Sequence, residues 1–277
     1  PVESPHNSAW FLCALAARRA LTFLERQREV DAQNLGVYGH SMGGKIAVMT
    51  AAADRRVNAV APSCGGISDR RTTNQLYLAT IGDNTNLKHV SCPIFFLNPS
   101  NDFHARVNDL PKAIREIATD HWRITTSPHH NHVDTPQHEV CGMLWFDQWL
   151  KRAFRFPQTP QTSLRLRTED GVPALVVRPD TSKPILAVEV FYTQQGSEGE
   201  DMANAINRFW HYARPQPHGD AYLARLPLRS LDKPLWVYAS VTYPLESPVT
   251  AAGYYYRAYT CLLYTSDAAD EGLGVDL

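Results

Sequence analysis

The pentapeptide GHSMG at residues 39–43 places one serine, Ser41, between two glycines. This G-x-S-x-G pattern is typical of a nucleophile elbow, a sharp strand-to-helix turn with the serine at its tip. The short apolar stretch "LGVY" precedes it and the small-residue stretch "KIAVMTAAA" follows it, so a strand and a helix are predicted on its two sides. We therefore interpret Ser41 as a nucleophile; the alternative is a serine that only caps a helix after a tight turn.

The residues around the serine suit such a turn. Gly39, Gly43 and the additional Gly44 are expected because bulk at either flank would clash with the strand or the helix. The amide of Met42 lies at the predicted helix start, where unpaired N–H groups and the helix dipole favour negative charge, so we predict it as an oxyanion-hole donor. His40 is predicted to pack or hydrogen-bond beneath the elbow, pointing away from the serine hydroxyl.

A serine hydroxyl is a weak nucleophile and needs a general base, which in turn needs an orienting group. In sheets of this kind the chain order is serine, then an acid, then histidine. Asp102 lies 61 residues after Ser41, just past the predicted strand "CPIFFLNPS". Open α/β sheets carry functional groups at such strand ends. We interpret Asp102 as the acid; an aspartate that only ends the strand is the alternative.

Three histidines follow the next predicted strand, in the segment "SPHHNHVD". His132, 30 residues after Asp102, is predicted to be the base because its loop is long enough to return to the serine. His130 is the reserve base, His129 is predicted to be structural, and His104 is expected to line the entrance of the site. The histidine cluster would also suit a metal, but no carboxylate or cysteine pattern supports zinc. We predict no metal and no cofactor.

The elements that must position these residues alternate along the first half of the chain. Strands are predicted at 35–39, 57–63, 92–100 and 121–128, and helices at 8–27, 41–53, 108–118 and from 136 onward. Strand–helix alternation indicates crossover connections and a parallel sheet. The strands are apolar without alternation, as expected when both faces of a sheet are covered.

The composition changes after residue 153. The proline-rich stretch "FRFPQTPQTS" predicts a linker at 154–162, and β-rich segments separated by turn residues follow it. We predict a partial α/β domain at 1–153 and an antiparallel β-sandwich-like domain at 163–260. The last stretch, 261–277, resembles translated sequencing-adapter sequence and is expected to be an artefact tail.

The bulk properties exclude several classes of protein. The chain has 277 residues, of which 44% are hydrophobic and 20% charged, with a formal net charge of −1. Such a charge balance gives no electrostatic footprint for nucleic acid or an anionic membrane, and no stretch is apolar enough to span a bilayer. The cysteines are scattered without CxxC spacing and leave the compartment open: Cys13, Cys64, Cys92, Cys141 and Cys261.

Together these segments resemble an α/β-hydrolase of the dienelactone-hydrolase and acetylxylan-esterase type. The resemblance rests on "GHSMGGKIAVMTAAADRRVNAVAPSCGG", "CPIFFLNPSNDFHAR" and "SPHHNHVDTPQHEV", with the β-rich tail similar to a β domain appended to some bacterial members. It implies ester hydrolysis through an acyl-serine, with a small-molecule or carbohydrate ester, such as an acetyl ester, as substrate. Ser41, Asp102 and His132 match the family's nucleophile, acid and base.

One departure from the family pattern is expected to matter. About 34 residues precede "LGVYG", whereas the family has several strands and a loop that donates a second oxyanion amide before the elbow. We therefore expect the chain to hold the C-terminal part of the α/β-hydrolase sheet, without its N-terminal strands.

Two other functions stay open on the residues alone. A serine peptidase would use the same three side chains. A non-catalytic carbohydrate-binding or interaction protein would instead use aromatic side chains of the β-rich half to stack on sugars. The candidates for such stacking are Trp210, Tyr212, Trp236 and Tyr254 to Tyr256, although side chains of this type more often pack in a core.

Overall fold

The computed structural model describes residues 3–68, 72–196, 205–251 and 254–265. The helices are α1 Ala9–Leu24, α2 Met42–Ala53, α3 Gln75–Thr80, α4 Asp83–Leu87, α5 Leu110–Glu116 and α6 Pro136–Trp149, with short 3-10 helices at Pro5–Asn7 and Val107–Asp109. The strands of the first half are β1 Leu35–His40, β2 Val57–Ser63, β3 Ile94–Leu97 and β4 Trp122–Thr125. Those of the second half are β5 Gln161–Arg165, β6 Ala174–Arg178, β7 Ala187–Thr193, β8 His211–Ala213, β9 Gln216–His218, β10 Ala221–Arg225, β11 Trp236–Ala251 and β12 Tyr254–Thr265. No helix among the described residues is long and apolar enough to cross a bilayer.

Strands β1 to β4 form the predicted parallel sheet, in chain order. Both of its faces are buried, which explains the apolar strands without alternation. In β3, Ile94 and Phe96 pack with α2 in one core, and Phe95 and Leu97 pack with α6 in the other. The parallel order brings the carboxyl ends of the strands to one edge, where functional groups collect in such sheets.

Side-chain caps define the starts of α1 and α6. The Ser8 hydroxyl accepts a hydrogen bond from the Trp10 amide at the start of α1. Thr135 directly precedes Pro136, the first residue of α6, and its hydroxyl accepts a hydrogen bond from the His138 amide. Serine and threonine side chains satisfy helix amides that have no intrahelical acceptor, so both boundaries are fixed locally.

The β-rich half continues the parallel sheet, which the sequence did not predict. The eight-stranded sheet has the order β1-β2-β3-β4-β12-β11-β7-β8, and β12 pairs antiparallel with β4 at Leu262 and Ile124. The other four strands form a second antiparallel sheet, β5-β6-β10-β9. One hydrophobic cluster includes Trp145 of α6, Val177 of β6 and Val237 of β11. The two halves of the chain therefore share a core.

The segment predicted as a linker takes part in this core. Phe156 is buried and its ring makes an edge contact with Phe95, with ring centroids 5.7 Å apart. The guanidinium of Arg123 on β4 donates to the carbonyl of Pro157. A domain boundary at 154–162 stays a prediction, but the segment itself is packed.

The stretch predicted to be an adapter-derived tail begins inside a strand. Residues 261–265 complete β12, which pairs with β11, and Cys261 is buried. Residues 266–277 lie outside the described residues.

A buried ion pair joins the helix after Ser41 to its surroundings. Lys45 of α2 is 2% exposed, and its ammonium group donates to Asp83 Oδ1 at 2.9 Å and to the Ile81 carbonyl at 2.8 Å. The other oxygen of Asp83 accepts from the Ser68 amide at 2.7 Å. The rings of Trp10 and Tyr77 flank the ammonium group, with centroids 5.3 and 5.2 Å away. One cation thus connects α1, α2, α3 and α4.

Replacing this lysine is expected to destabilise the fold strongly. Lys45→Met leaves the Asp83 carboxylate buried without its cation, which typically costs roughly 3–5 kcal/mol in the free energy of unfolding. Urea denaturation followed by circular dichroism measures the change. Lys151→Met is the matched control, because Lys151 forms an exposed pair with Asp147 and such pairs contribute about 0–1 kcal/mol. Equal losses in the two variants would contradict the expectation.

Candidate active site

Ser41 occupies a strained turn between β1 and α2. Its backbone has φ 57° and ψ −117°, a conformation that residues with a side chain rarely adopt. Its amide donates to the Ser63 carbonyl at 2.8 Å, and its own carbonyl accepts from the Gly44 amide at 2.9 Å. These bonds attach the turn to β2 on one side and to α2 on the other, so the strain is held from both directions.

The elbow glycines do not all serve the same purpose. A methyl group on Gly39 would lie 2.2 Å from the Gly43 carbonyl oxygen, and one on Gly44 would lie 2.8 Å from the Ser63 carbonyl oxygen. At Gly43 an added methyl group would meet no atom within 4 Å. The expectation that bulk at either flank clashes is therefore wrong at Gly43, because that position faces open space.

Met42 is the first residue of α2, and its side chain is exposed. The first amides of a helix have no intrahelical acceptor and lie at the positive end of the helix dipole. The Met42 amide directly follows the serine, so its location agrees with the predicted role as an oxyanion donor, which stays a prediction.

Asp102 lies in the turn after β3, with its side chain fully buried. Its Oδ1 accepts hydrogen bonds from the amides of His104 at 2.7 Å and Ala105 at 3.1 Å. Two backbone donors on one oxygen fix the orientation of the carboxylate. The turn therefore presents a fixed acceptor towards the loop that carries His132.

His132 bridges the serine and the aspartate. Its Nε2 lies 2.7 Å from Ser41 Oγ, and its Nδ1 lies 3.1 and 3.2 Å from the two oxygens of Asp102. An ionised carboxylate can only accept, so Nδ1 carries the proton and Nε2 is free to accept from the serine hydroxyl. The structure thus brings together the three residues that the sequence predicted as nucleophile, acid and base.

The other predicted histidines lie elsewhere in the site. His130 is exposed and its Nδ1 contacts the Pro128 carbonyl at 2.9 Å, so its ring is directed to its own loop. His129 packs on Phe209, with centroids 5.3 Å apart. His104 Nδ1 lies 3.1 Å from the Cys64 carbonyl oxygen.

Three rings surround the imidazole of His132. The centroids of Phe103, His40 and His104 lie 4.6, 5.0 and 5.7 Å from its own. Side rings at such distances restrict the rotation of an imidazole by packing alone. His40 was predicted to pack or hydrogen-bond beneath the elbow and to point away from the serine hydroxyl. In the structure its ring lies against that of His132, and its Nδ1 lies 3.3 Å from Asp134 Oδ2.

Sequence reasoning missed Asp134 and Asn101. Asp134 accepts hydrogen bonds from the hydroxyls of Tyr38 and Ser63. Burial raises the pKa of the Tyr38 hydroxyl, and the hydrogen bond to the Asp134 carboxylate raises it further. Asn101 donates to the carbonyls of Ile206 and Arg208, at 3.3 and 2.6 Å, next to the acid. The sequence gives one indication of a role for Asp134, its position two residues after His132. This position does not reveal which hydroxyl groups donate to the carboxylate.

Cys64, Asp102 and His132 are the described residues that come closest to a metal site. One donor atom from each lies within 4.8 Å of the others. Burial raises the pKa of the Cys64 thiol, and the neighbouring Asp102 raises it further. A raised pKa disfavours the thiolate, which is the form that binds metals. Asp102 and His132 are also hydrogen-bonded to each other, so the cluster does not point to a resident metal.

Two glycine variants separate the steric demands of the elbow. Gly39→Ala is expected to lower the free energy of unfolding by about 3 kcal/mol or more, because backbone must move to admit the methyl group. Gly43→Ala is the matched control and is expected to match or exceed wild type by up to about 1 kcal/mol, since alanine favours helix. Thermal and urea unfolding measure both; similar losses in the two variants would contradict the steric argument.

Comparisons with known proteins found one family match and several similar solved structures. The model of the dienelactone hydrolase family matches residues 13–132. No curated protein sequence matches the chain. Similar solved structures include an acetyl xylan esterase from Paenibacillus sp. R4, at 19% identity and a TM-score of 0.45, covering 52% of this chain and 53% of that one. A second is acetyl xylan esterase 1 from Thermoanaerobacterium sp. JW/SL YS485, at 17% identity and a TM-score of 0.42, covering 48% and 51%.

A glucuronoyl esterase from Solibacter usitatus is similar at 17% identity and a TM-score of 0.39, covering 49% of this chain and 47% of that one. The aligned part thus spans about half the length of these structures. The elbow and the parallel sheet lie in the stretch that the family model matches. Over residues 13–132 the chain is similar to the dienelactone hydrolase family, which confirms the resemblance inferred from its sequence.

Proposed function

We propose that this chain carries the catalytic centre of a serine hydrolase that cleaves carboxylic esters through an acyl-serine intermediate. The observation that carries the proposal is the continuous hydrogen-bonded series from Asp102 through His132 to Ser41. A general base oriented by a buried acid and in contact with a hydroxyl is the arrangement that makes serine a nucleophile. The similarity to the dienelactone hydrolase family supports it.

In the first half-reaction, Ser41 Oγ attacks the ester carbonyl carbon while its proton moves to His132 Nε2. The carbonyl π-electrons move onto its oxygen, and the Met42 amide is proposed to stabilise that negative charge. When the intermediate collapses, the bond to the alcohol oxygen breaks and the imidazolium returns the proton to the leaving alcohol. Asp102 stabilises the imidazolium and keeps Nδ1 protonated.

In the second half-reaction, a water molecule takes the place of the alcohol. His132 removes its proton as the water oxygen attacks the acyl carbon, and a second tetrahedral intermediate forms. Its collapse breaks the bond to Ser41 Oγ, which regains a proton from the imidazolium, and releases the carboxylic acid. Every proton moves through one ring nitrogen, so a ring held in contact with the serine serves both halves.

Acetyl esters of carbohydrates are the substrate class we propose. This choice rests on the likeness of the quoted segments to the acetylxylan-esterase type, and the three similar structures named above are themselves called esterases. A serine peptidase would use the same side chains, and a peptide substrate is the direct alternative to test.

The sugar-stacking alternative loses part of its basis. Trp210 and Trp236 are 1% and 2% exposed, so neither can stack on a sugar ring. Tyr256 is partly buried and donates to Glu139 at 3.1 Å. Tyr212 is exposed, whereas the side chains of residues 254 and 255 lie outside the described part of the chain.

Hydrolysis of p-nitrophenyl acetate by Ser41→Ala tests the proposal. We expect turnover to fall by at least about 10³-fold, to the background rate, because the other groups cannot form an acyl-enzyme. Ser163→Ala, an exposed serine of β5, is the matched control and should keep wild-type turnover. Wild-type rates in Ser41→Ala would overturn the assignment, and cleavage of a peptide but no ester would favour the peptidase.

A further inference from the structure

Asp134 lies near the end of the loop that carries His132. This loop connects β4 to α6 at residues 126–135, and Asp134 directly precedes the N-cap residue Thr135. The carboxylate is 23% exposed and lies two residues after His132. The series of residues in the proposed mechanism does not include it, so its contacts need a separate explanation.

Both oxygens of Asp134 have partners, and these partners come from two strands. The Tyr38 hydroxyl of β1 donates to Oδ2, and the Ser63 hydroxyl of β2 donates to Oδ1. His40 of β1 places Nδ1 3.3 Å from Oδ2. One carboxylate thus connects the histidine loop to the ends of both strands.

These partners lie on the two strands that hold the nucleophile. Tyr38 and His40 share one face of β1 because side chains two residues apart point the same way, and Ser41 follows at once. The carbonyl of Ser63 accepts from the Ser41 amide at 2.8 Å. A shift of Asp134 therefore changes the position of the histidine loop relative to the residues that fix Ser41.

The loop has other bonds as well. Next to Asp134, the carbonyl of Val133 accepts from the Cys64 thiol at 3.7 Å, directly after β2. The carbonyl of His130 accepts from the Asn101 amide at 2.9 Å, and the Ser127 and Thr135 hydroxyls contact each other at 2.6 Å. Asn101 belongs to the turn that carries the acid. The bond from Asn101 holds the loop at the acid turn, whereas the bonds of Asp134 hold it at the strands beside Ser41.

We infer that Asp134 is a positioning residue of this site. It clamps the loop at 126–135 onto β1 and β2 and so holds His132 Nε2 within hydrogen-bonding reach of Ser41. The inference rests on the proposed function, since a positioned base matters only if Ser41 is a nucleophile.

Asp134→Asn in the full chain tests this role. An amide carries no charge, so the bonds to both hydroxyls lose their charge assistance. One of the two hydroxyls can keep its bond only by accepting from the amide N–H, so the anchors of the loop weaken. We expect kcat for p-nitrophenyl acetate to fall about 10²-fold with KM within about twofold, because small misplacements of a reacting group have effects of this size. The rate at which a fluorophosphonate labels Ser41, read by intact mass, should fall similarly.

Asp54→Asn is the matched control. Asp54 is a buried carboxylate at the opposite end of α2 and pairs with Arg18 and Arg56. Its replacement is expected to lower the melting temperature while leaving the labelling rate per folded molecule at the wild-type value. Tyr38→Phe and Ser63→Ala each remove one anchor, and we expect about 3- to 10-fold losses in labelling rate that do not add to that of Asp134→Asn.

The outcomes separate the two proposals. A wild-type chain that neither turns over ester nor labels at Ser41 overturns the proposed function. A wild-type chain that does both, with Asp134→Asn within twofold of it per folded molecule, overturns the positioning role alone. If Asp134→Asn does not fold, Tyr38→Phe and Ser63→Ala decide: folded variants with wild-type labelling rates also overturn it.

Discussion

The positive φ of Ser41 is the constraint on which the rest of the site depends. A residue with a side chain leaves that conformation unless its surroundings hold it there. Gly65, after β2, packs so closely that a methyl group on it would lie 2.2 Å from the Ser41 carbonyl oxygen. Gly39 makes a similarly close approach to Gly43. The strain is therefore maintained by backbone contacts on several sides, and these need glycine.

Because the serine is fixed in this way, the side chains of Asp102 and His132 must be positioned relative to it. Asp102 is held by amides of its own turn, and His132 by the aspartate below it and by aromatic rings beside it. The β-rich half also contributes, because Asn101 bonds to Arg208 and accepts from the indole of Trp210 at 3.0 Å. The acid turn thus rests on residues that follow it by more than a hundred positions.

Much of this site could be predicted from the sequence because its order along the chain is imposed by the sheet. Parallel strands deliver successive loops to one edge, so the residues after β1, β3 and β4 had to meet, and Ser41, Asp102 and His132 do. The close approach at Gly39 also follows from the turn. The open space at Gly43 could not be predicted, because it depends on what lies opposite the helix start.

The antiparallel continuation of the sheet could not be predicted from the sequence either. Pairing of β12 with β4 joins positions 262 and 124, and no local pattern specifies a partner at that separation. For Asp134 the residue type and its place near His132 were visible, but its partners lie on strands about 70 to 96 residues earlier. The residue type shows that Asp134 can accept hydrogen bonds, whereas tertiary packing determines which donors reach it.

The core shared between the two halves has a consequence for how such chains diversify. Phe95 and Trp145 of the α/β half pack in one cluster with Val190 and Tyr243 of the β half. Recombination at the proline-rich segment would join surfaces that never adapted to one another, and an exposed apolar face of this kind favours aggregation. A β half exchanged without α6 and β3 would therefore leave apolar side chains of this cluster uncovered, so the packed unit is larger than the segment that the change in composition marks out.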